Sequence, residues 1–220
     1  MTDTSLPDTT PSTSVPTTER VVRTIAETAI EHEQYFGDLD SVVGDGDFGY
    51  SLARGFEKLL EGWDDLDRST PGAFLKRSGM VITSRIGGTS GPIWGTGFLR
   101  AGMTAGVDEV ITPDRLVAML RAGVEGIMAR GGASLGDKTL LDSLVPFIDA
   151  LERGFAAGDP PADVLAAAAV ACRTAADGTA DLVAKRGRAA YTGERSRGSV
   201  DAGATALAVL AERLAVVWRS

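Results

Sequence analysis

Residues 19–36 read ERVVRTIAETAIEHEQYF. Val22, Ile25, Ala29, His32 and Phe36 follow at steps of 3, 4, 3 and 4. That spacing puts all five on one helical face and predicts an α-helix over the stretch. The same period recurs along the chain. Helices are expected over about 50–61, over 71–85 behind the Thr70-Pro71 start signal, and over 93–104. Thr112-Pro113 opens another, with Leu116, Leu120, Val124, Ile127 and Met128 on one stripe. Two more cover about 138–154 and about 161–186, the second following Pro160. The last spans 202–218, where Leu207, Leu210, Leu214 and Val217 recur at steps of 3, 4 and 3. Of 31 alanines, 20 lie after residue 150, and alanine both favours helices and lets them approach closely. Val42-Val43 is too short a run to support a sheet. The expectation is an all-α fold, an eight-helix antiparallel up-down bundle or barrel.

A chain of 220 residues suits one domain. Residues 1–18 are Thr, Ser, Pro and Asp with almost nothing to bury, which predicts a disordered tail ahead of a single domain over 19–220. The chain carries 22 Lys and Arg against 30 Asp and Glu, a net charge of −8. A nucleic-acid backbone binder needs a basic face, so that class is disfavoured. One cysteine excludes a disulfide framework and a cysteine-based zinc site. One histidine excludes multi-histidine metal sites, and a Ser-His-Asp triad would have to use His32. On its apolar stripe, His32 reads as a packed core or rim side chain. Cys172, amid alanines, reads as a small packed hydrophobe. No apolar run reaches the roughly 18 residues of a membrane span, and no basic-then-apolar leader heads the sequence. A cytoplasmic location with no membrane partner is expected.

The 27 glycines are unusual for a helical sequence, and 15 fall in four clusters. These are GDGDFG (44–49), GGTSGPIWGTG (87–97), GGASLG (131–136) and GRAAYTGERSRGSVDAG (187–203). Each sits ahead of a predicted helix or runs into its first turn. A single such cluster is ordinarily a helix stop. Four that carry Asp, Ser, Thr and Lys point to a ligand, because glycine lets backbone N–H groups approach an anion at a helix N-terminus.

Asp40, Asp45 and Asp47 fall within eight residues. Three carboxylates in one loop repel unless a cation sits between them, and all-oxygen ligands suit Mg²⁺ or Ca²⁺. The spacing is not that of an EF-hand. Gly87, Gly88, Thr89, Ser90 and Gly91 ahead of Pro92 form a plausible phosphate cradle. GGASLGDKT resembles a Walker A loop, but Asp137 intrudes before Lys138-Thr139 and no strand precedes it, so a P-loop is disfavoured. Asp137 can instead cap the following helix. The long last connection holds Arg188, Glu194, Arg195, Arg197 and Asp201, a composition that suits a mobile loop closing on phosphates.

The four stretches VVGDGDFGYSLARGF, SRIGGTSGPIWGTGFLRAG, ARGGASLGDKTLLDSLVPF and KRGRAAYTGERSRGSVDAGA together resemble the nucleotide-binding L subunit of dihydroxyacetone kinases. The similarity runs from about residue 19 to 218. It implies an eight-helix barrel whose end loops bind ATP or ADP with two Mg²⁺. By this resemblance Asp40, Asp45 and Asp47 are the metal ligands and, with Arg188, the catalytic residues. The nucleotide would be lined by Phe48, Ser51, Gly88, Thr89, Ser90, Gly136, Asp137, Thr139, Leu140, Arg188, Asp201 and Gly203. Lys138 belongs to the same GDKT block. Many members carry His or Thr where this chain has Phe48, which leans away from the His-bearing branch recharged by a phosphocarrier protein. The resemblance also implies a separate K subunit that anchors the hydroxyketone covalently through a histidine, in a dimer or heterotetramer. The implied activity is phosphorylation of a small hydroxyketone, triose or tetrose. The alternatives are a coenzyme-ADP subunit of a phosphocarrier system, a fatty-acid-kinase-like domain and a regulatory nucleotide-binding domain.

Overall fold

A computed structural model describes residues 13–219. Nine α-helices and no strand occur among them. They are α1 (Val15–Glu31), α2 (Glu33–Ser41), α3 (Phe48–Glu61), α4 (Pro71–Arg85), α5 (Ser90–Ala105), α6 (Pro113–Gly131), α7 (Leu141–Ala157), α8 (Pro161–Gly178) and α9 (Ala202–Arg219). The start signals work as their chemistry requires. Pro71 and Pro113 sit in first turns, where a missing N–H breaks no bond. Thr70 accepts the Ala73 N–H and Thr112 the Arg115 N–H.

Helix α1 packs on α3, each later helix packs on the next, and α9 returns to α1. The ring therefore closes with eight members, and α2 lies against α3 and α9. Neighbours run antiparallel. Gly72 of α4 faces Gly102 and Gly106, while Gly79, seven residues on, faces Gly95. A Cβ on Gly79 would lie 2.9 Å from the Gly95 carbonyl, and one on Gly95 would lie 2.7 Å from that of Gly79. Glycine here lets two backbones touch. Phe36, Phe56, Trp63 and Phe74 fill the core among α1 to α5. Ala169, Cys172, Ala204, Ala208 and Ala211 form a thin layer between α8 and α9. Burial pushes the Cys172 thiol up to about 12, in keeping with a packed, unreactive side chain.

Four boundaries depart from expectation. The first helix breaks at His32, whose backbone leaves the helical region at φ −102° and ψ 18°. The break lets α2 lie on α3 so closely that a Cβ on Gly49 would meet the Glu33 carbonyl at 2.0 Å. His32 is half-buried, stacks on Phe36 at 5.7 Å and sets Nδ1 2.9 Å from the Thr28 carbonyl. The expected tail is ordered from residue 13. The Ser14 N–H donates to the Glu109 carbonyl at 2.7 Å, its Oγ accepts from Ile111, and α1 begins at Val15. Residues 1–12 of that tail lie outside the described residues. Helix α8 stops at Gly178, not near 186, and α7 starts at Leu141, not near 138. Lys138 has a φ of +62°, which a right-handed helix cannot include.

Candidate functional site

In an up-down ring, alternate connections leave the same end. Those after α2, α4, α6 and α8 are residues 42–47, 86–89, 132–140 and 179–201. The four glycine clusters thus converge on one end of the ring. Side-chain proximities agree. A Cβ built on Gly87 would lie 3.4 Å from Ser51 Oγ of α3, and one on Gly203 would lie 3.4 Å from Leu140 Cβ.

Asp40, Asp45 and Asp47 each offer a carboxylate oxygen within 4.8 Å of the others. The Gly44 N–H donates to the Asp40 carbonyl at 2.6 Å, which folds the turn back and gathers the acids. Arg188, from the last connection, pairs with Asp45 and with Asp47 Oδ2 at 3.0 Å. The guanidinium stands among the acids as a cation. A hard-oxygen donor set that already draws positive charge fits a divalent cation such as Mg²⁺.

The second and third clusters differ in what their amides do. In residues 88–91 the N–H groups of Gly88, Thr89, Ser90 and Gly91 have no protein acceptor among the described residues. Thr89 precedes α5 without capping it, and both Gly88 and Thr89 are exposed. This is a helix N-terminus with unspent donors, suited to an anion. In the third cluster the amides of Ser134, Gly136, Asp137 and Thr139 are spent. Asp142 accepts the Gly136 N–H at 2.5 Å and the Thr139 N–H at 2.7 Å, and Asp137 Oδ2 accepts the Ser134 N–H at 3.0 Å. Asp137 therefore caps its own loop and not α7. Hydrogen bonding from Ser134 holds its carboxyl below the ordinary range against the cost of burial, and Arg186 and Lys185 assist. Thr139 Oγ1 accepts from Leu141 at 3.2 Å. Lys138 is buried and turned away from the open loop surface.

Phe48, the first residue of α3, packs into the core at 6.2 Å from Phe36. Only its backbone is left to serve the site. Asp201 caps α9 by accepting the Ala204 N–H at 2.7 Å. Desolvation pushes its carboxyl up to about 7, with Asp142 and Asp40 adding repulsion, against the Ala204 bond and Lys138. Asp142, Lys185 and Arg186 were not expected from the sequence. Their one local signal is charge in a first turn and a loop, which most surface residues share.

The sequence matches the DAK2 domain over residues 42–216, and the chain belongs to that family. It is 37% identical over 183 residues to the ADP-binding subunit DhaL of the PEP-dependent dihydroxyacetone kinase of Escherichia coli (strain K12), covering 83% of this chain and 87% of that one. It is equally 37% identical over 200 residues to the L-erythrulose 1-kinase of Mycolicibacterium smegmatis, covering 88% of this chain and 34% of that enzyme. The crystal structure of the dihydroxyacetone kinase of C. freundii, native form, matches with a TM-score of 0.69 and 26% identity, over 92% of this chain and 34% of that one. The chain thus spans most of the bacterial subunit and about a third of the two longer kinases. No helix among the described residues is long and apolar enough to cross a membrane.

Proposed function

We propose that this chain is the nucleotide-binding, phosphoryl-transferring subunit of a kinase for a small hydroxyketone, acting with a separate substrate-binding K subunit. The observation that carries it is the pairing of a three-carboxylate cluster with unspent amides at one end of the ring. Phosphoryl transfer asks a protein mainly to position groups and neutralise charge. Asp40, Asp45 and Asp47 hold two Mg²⁺, which supply that neutralisation when bound. The amides of residues 88–90 and the hydroxyls of Thr89 and Ser90 hold phosphate oxygens of ATP or ADP. Ser51, Gly136, Thr139, Leu140, Asp201 and Gly203 line the rest of the nucleotide, and Arg188 turns from the acids to the transferring phosphate.

The K subunit supplies the histidine that anchors the hydroxyketone. In this chain His32 is the single histidine, and its ring is engaged with Phe36 and Thr28. ATP is the proposed donor, because Phe48 stands where the phosphocarrier branch carries histidine and its ring is buried. The proposed complex is cytoplasmic, a dimer or heterotetramer. The relatives named for a PEP-dependent system favour a second reading, in which bound ADP is recharged by a phosphocarrier protein. The test is phosphorylation of dihydroxyacetone and erythrulose by the purified chain with a K subunit. Turnover with ATP supports the first reading, and turnover only with a phosphocarrier relay supports the second. Turnover by the chain alone contradicts the division of labour.

A further inference from the structure

Lys138 is 2% exposed, yet it carries an ammonium group. Its Nζ donates to the Leu182 carbonyl at 3.2 Å, to the Ser199 carbonyl at 2.6 Å, and to the Ser196 carbonyl. An ammonium has three donors, so all three are satisfied. The acceptors are not neighbours in sequence. Leu182 opens the segment that carries Arg188, while Ser196 and Ser199 close it. Lys138 is also the one non-glycine residue with positive φ among those described, at +62°. A buried charge in a disfavoured backbone conformation persists where the surroundings hold it there.

Asp137 ties the same segment from outside. Its carboxylate meets Arg186 Nε at 3.0 Å and Lys185 Nζ at 3.4 Å, and its carbonyl accepts the Lys185 N–H at 3.0 Å. Those contacts fix the start of the segment only. Ser196 Oγ accepts from Ala184 at 2.9 Å and joins start to finish, but it does not reach the 132–140 connection. Lys138 bonds both the start and the finish of the segment to that connection.

We infer that Lys138 is a positioning residue: its ammonium staples both ends of residues 182–199 to the connection before α7 and so sets where Arg188 meets Asp45 and Asp47. Its consequence for nucleotide binding rests on the proposed function; the staple itself does not. The test uses the whole chain without metal or nucleotide. Lys138→Gly removes the ammonium and tolerates positive φ, and Lys138→Met removes the donors and keeps the stem. Lys185, Arg186, Arg188, Arg195 and Arg197 are exposed tryptic sites within the segment. Both variants are expected to be cut there at least tenfold faster than wild type, with helix content by circular dichroism unchanged. Methylammonium added to Lys138→Gly is expected to restore protection by filling the carbonyl cage. Wild-type cleavage rates in both variants overturn the staple, as does a loosened segment that methylammonium leaves loose. Mg-nucleotide affinity is measured in parallel, and Lys138→Gly is expected to lose at least tenfold, recovered with methylammonium. If wild type binds no nucleotide, the proposed function fails while the proteolysis result still decides the staple.

Discussion

Arg188 lies 141 residues from Asp47, yet its Nη1 sits 3.0 Å from Asp47 Oδ2. The pair joins the first glycine cluster to the fourth and brings a cation onto acids that would otherwise repel. Both side chains are about half exposed, at 53% each, so the pair adds little to stability. An exposed pair contributes at most about 1 kcal/mol, or roughly 3 °C in a domain of this size. Arg188→Ala is therefore expected to keep its melting temperature within that margin. In the complex with a K subunit, turnover is expected to fall about 100-fold, the scale of losing one charge-stabilising group. Calorimetric melting beside a turnover assay checks both, and a collapsed melting temperature assigns Arg188 a structural role.

Asp201 gives a pH dependence. In the folded chain burial raises its carboxyl to about 7, while the unfolded chain ionises near the ordinary value of about 4. Between these the folded state holds a proton that the unfolded state has released. Stability therefore falls as pH rises through that window, and the loss is complete above about 7. Asp201→Asn keeps an oxygen for the Ala204 N–H and does not titrate. Without metal and nucleotide, wild type is expected to lose stability relative to Asp201→Asn from about pH 4 to 7. The two denaturation profiles should then run parallel. A constant difference across the window contradicts the desolvated carboxyl.

The crossing of α4 and α5 is steric. A Cβ on Gly79 would lie 2.8 Å from the Leu99 nitrogen and 2.9 Å from the Gly95 carbonyl, both rigid backbone. Gly79→Ala is expected to cost about 1–3 kcal/mol, more than the ~1 kcal/mol of improved helix propensity. Gly178, with open space around its Cβ position and φ −63°, is the control. Gly178→Ala should be neutral or stabilising by up to about 1 kcal/mol. Urea denaturation of both variants checks the contrast.

The helices were legible because apolar period and start signals are local. The exceptions have distant causes. The break at His32 serves the approach of Gly49 to the Glu33 backbone, which no local signal announces. Lys138, at φ +62°, donates to carbonyls 44 to 61 residues away. Asp137 read as a helix cap, while its carboxylate serves Ser134 in its own loop and Arg186 and Lys185 on another connection. The glycines divide in a way composition alone conceals. Gly95 belongs to α5 and permits its tight packing on α4, Gly91 lets the start of α5 close on the Ile86 carbonyl, and Gly88 takes a φ of +63° in the loop. The seven-residue spacing of Gly72 with Gly79, and of Gly95 with Gly102, is the pattern that could have separated the two uses.

In the proposed function the acids at the loop end hold the metal through which the chain binds nucleotide. Calorimetric titration of ATP and ADP into the purified chain, with Mg²⁺ and with chelator, tests it directly, beside Asp45→Ala. Binding to wild type is expected with Mg²⁺, and its loss is expected both in chelator and in Asp45→Ala, a difference of several kcal/mol. Equal affinity with and without Mg²⁺, or an Asp45→Ala chain that binds as tightly as wild type, would contradict it.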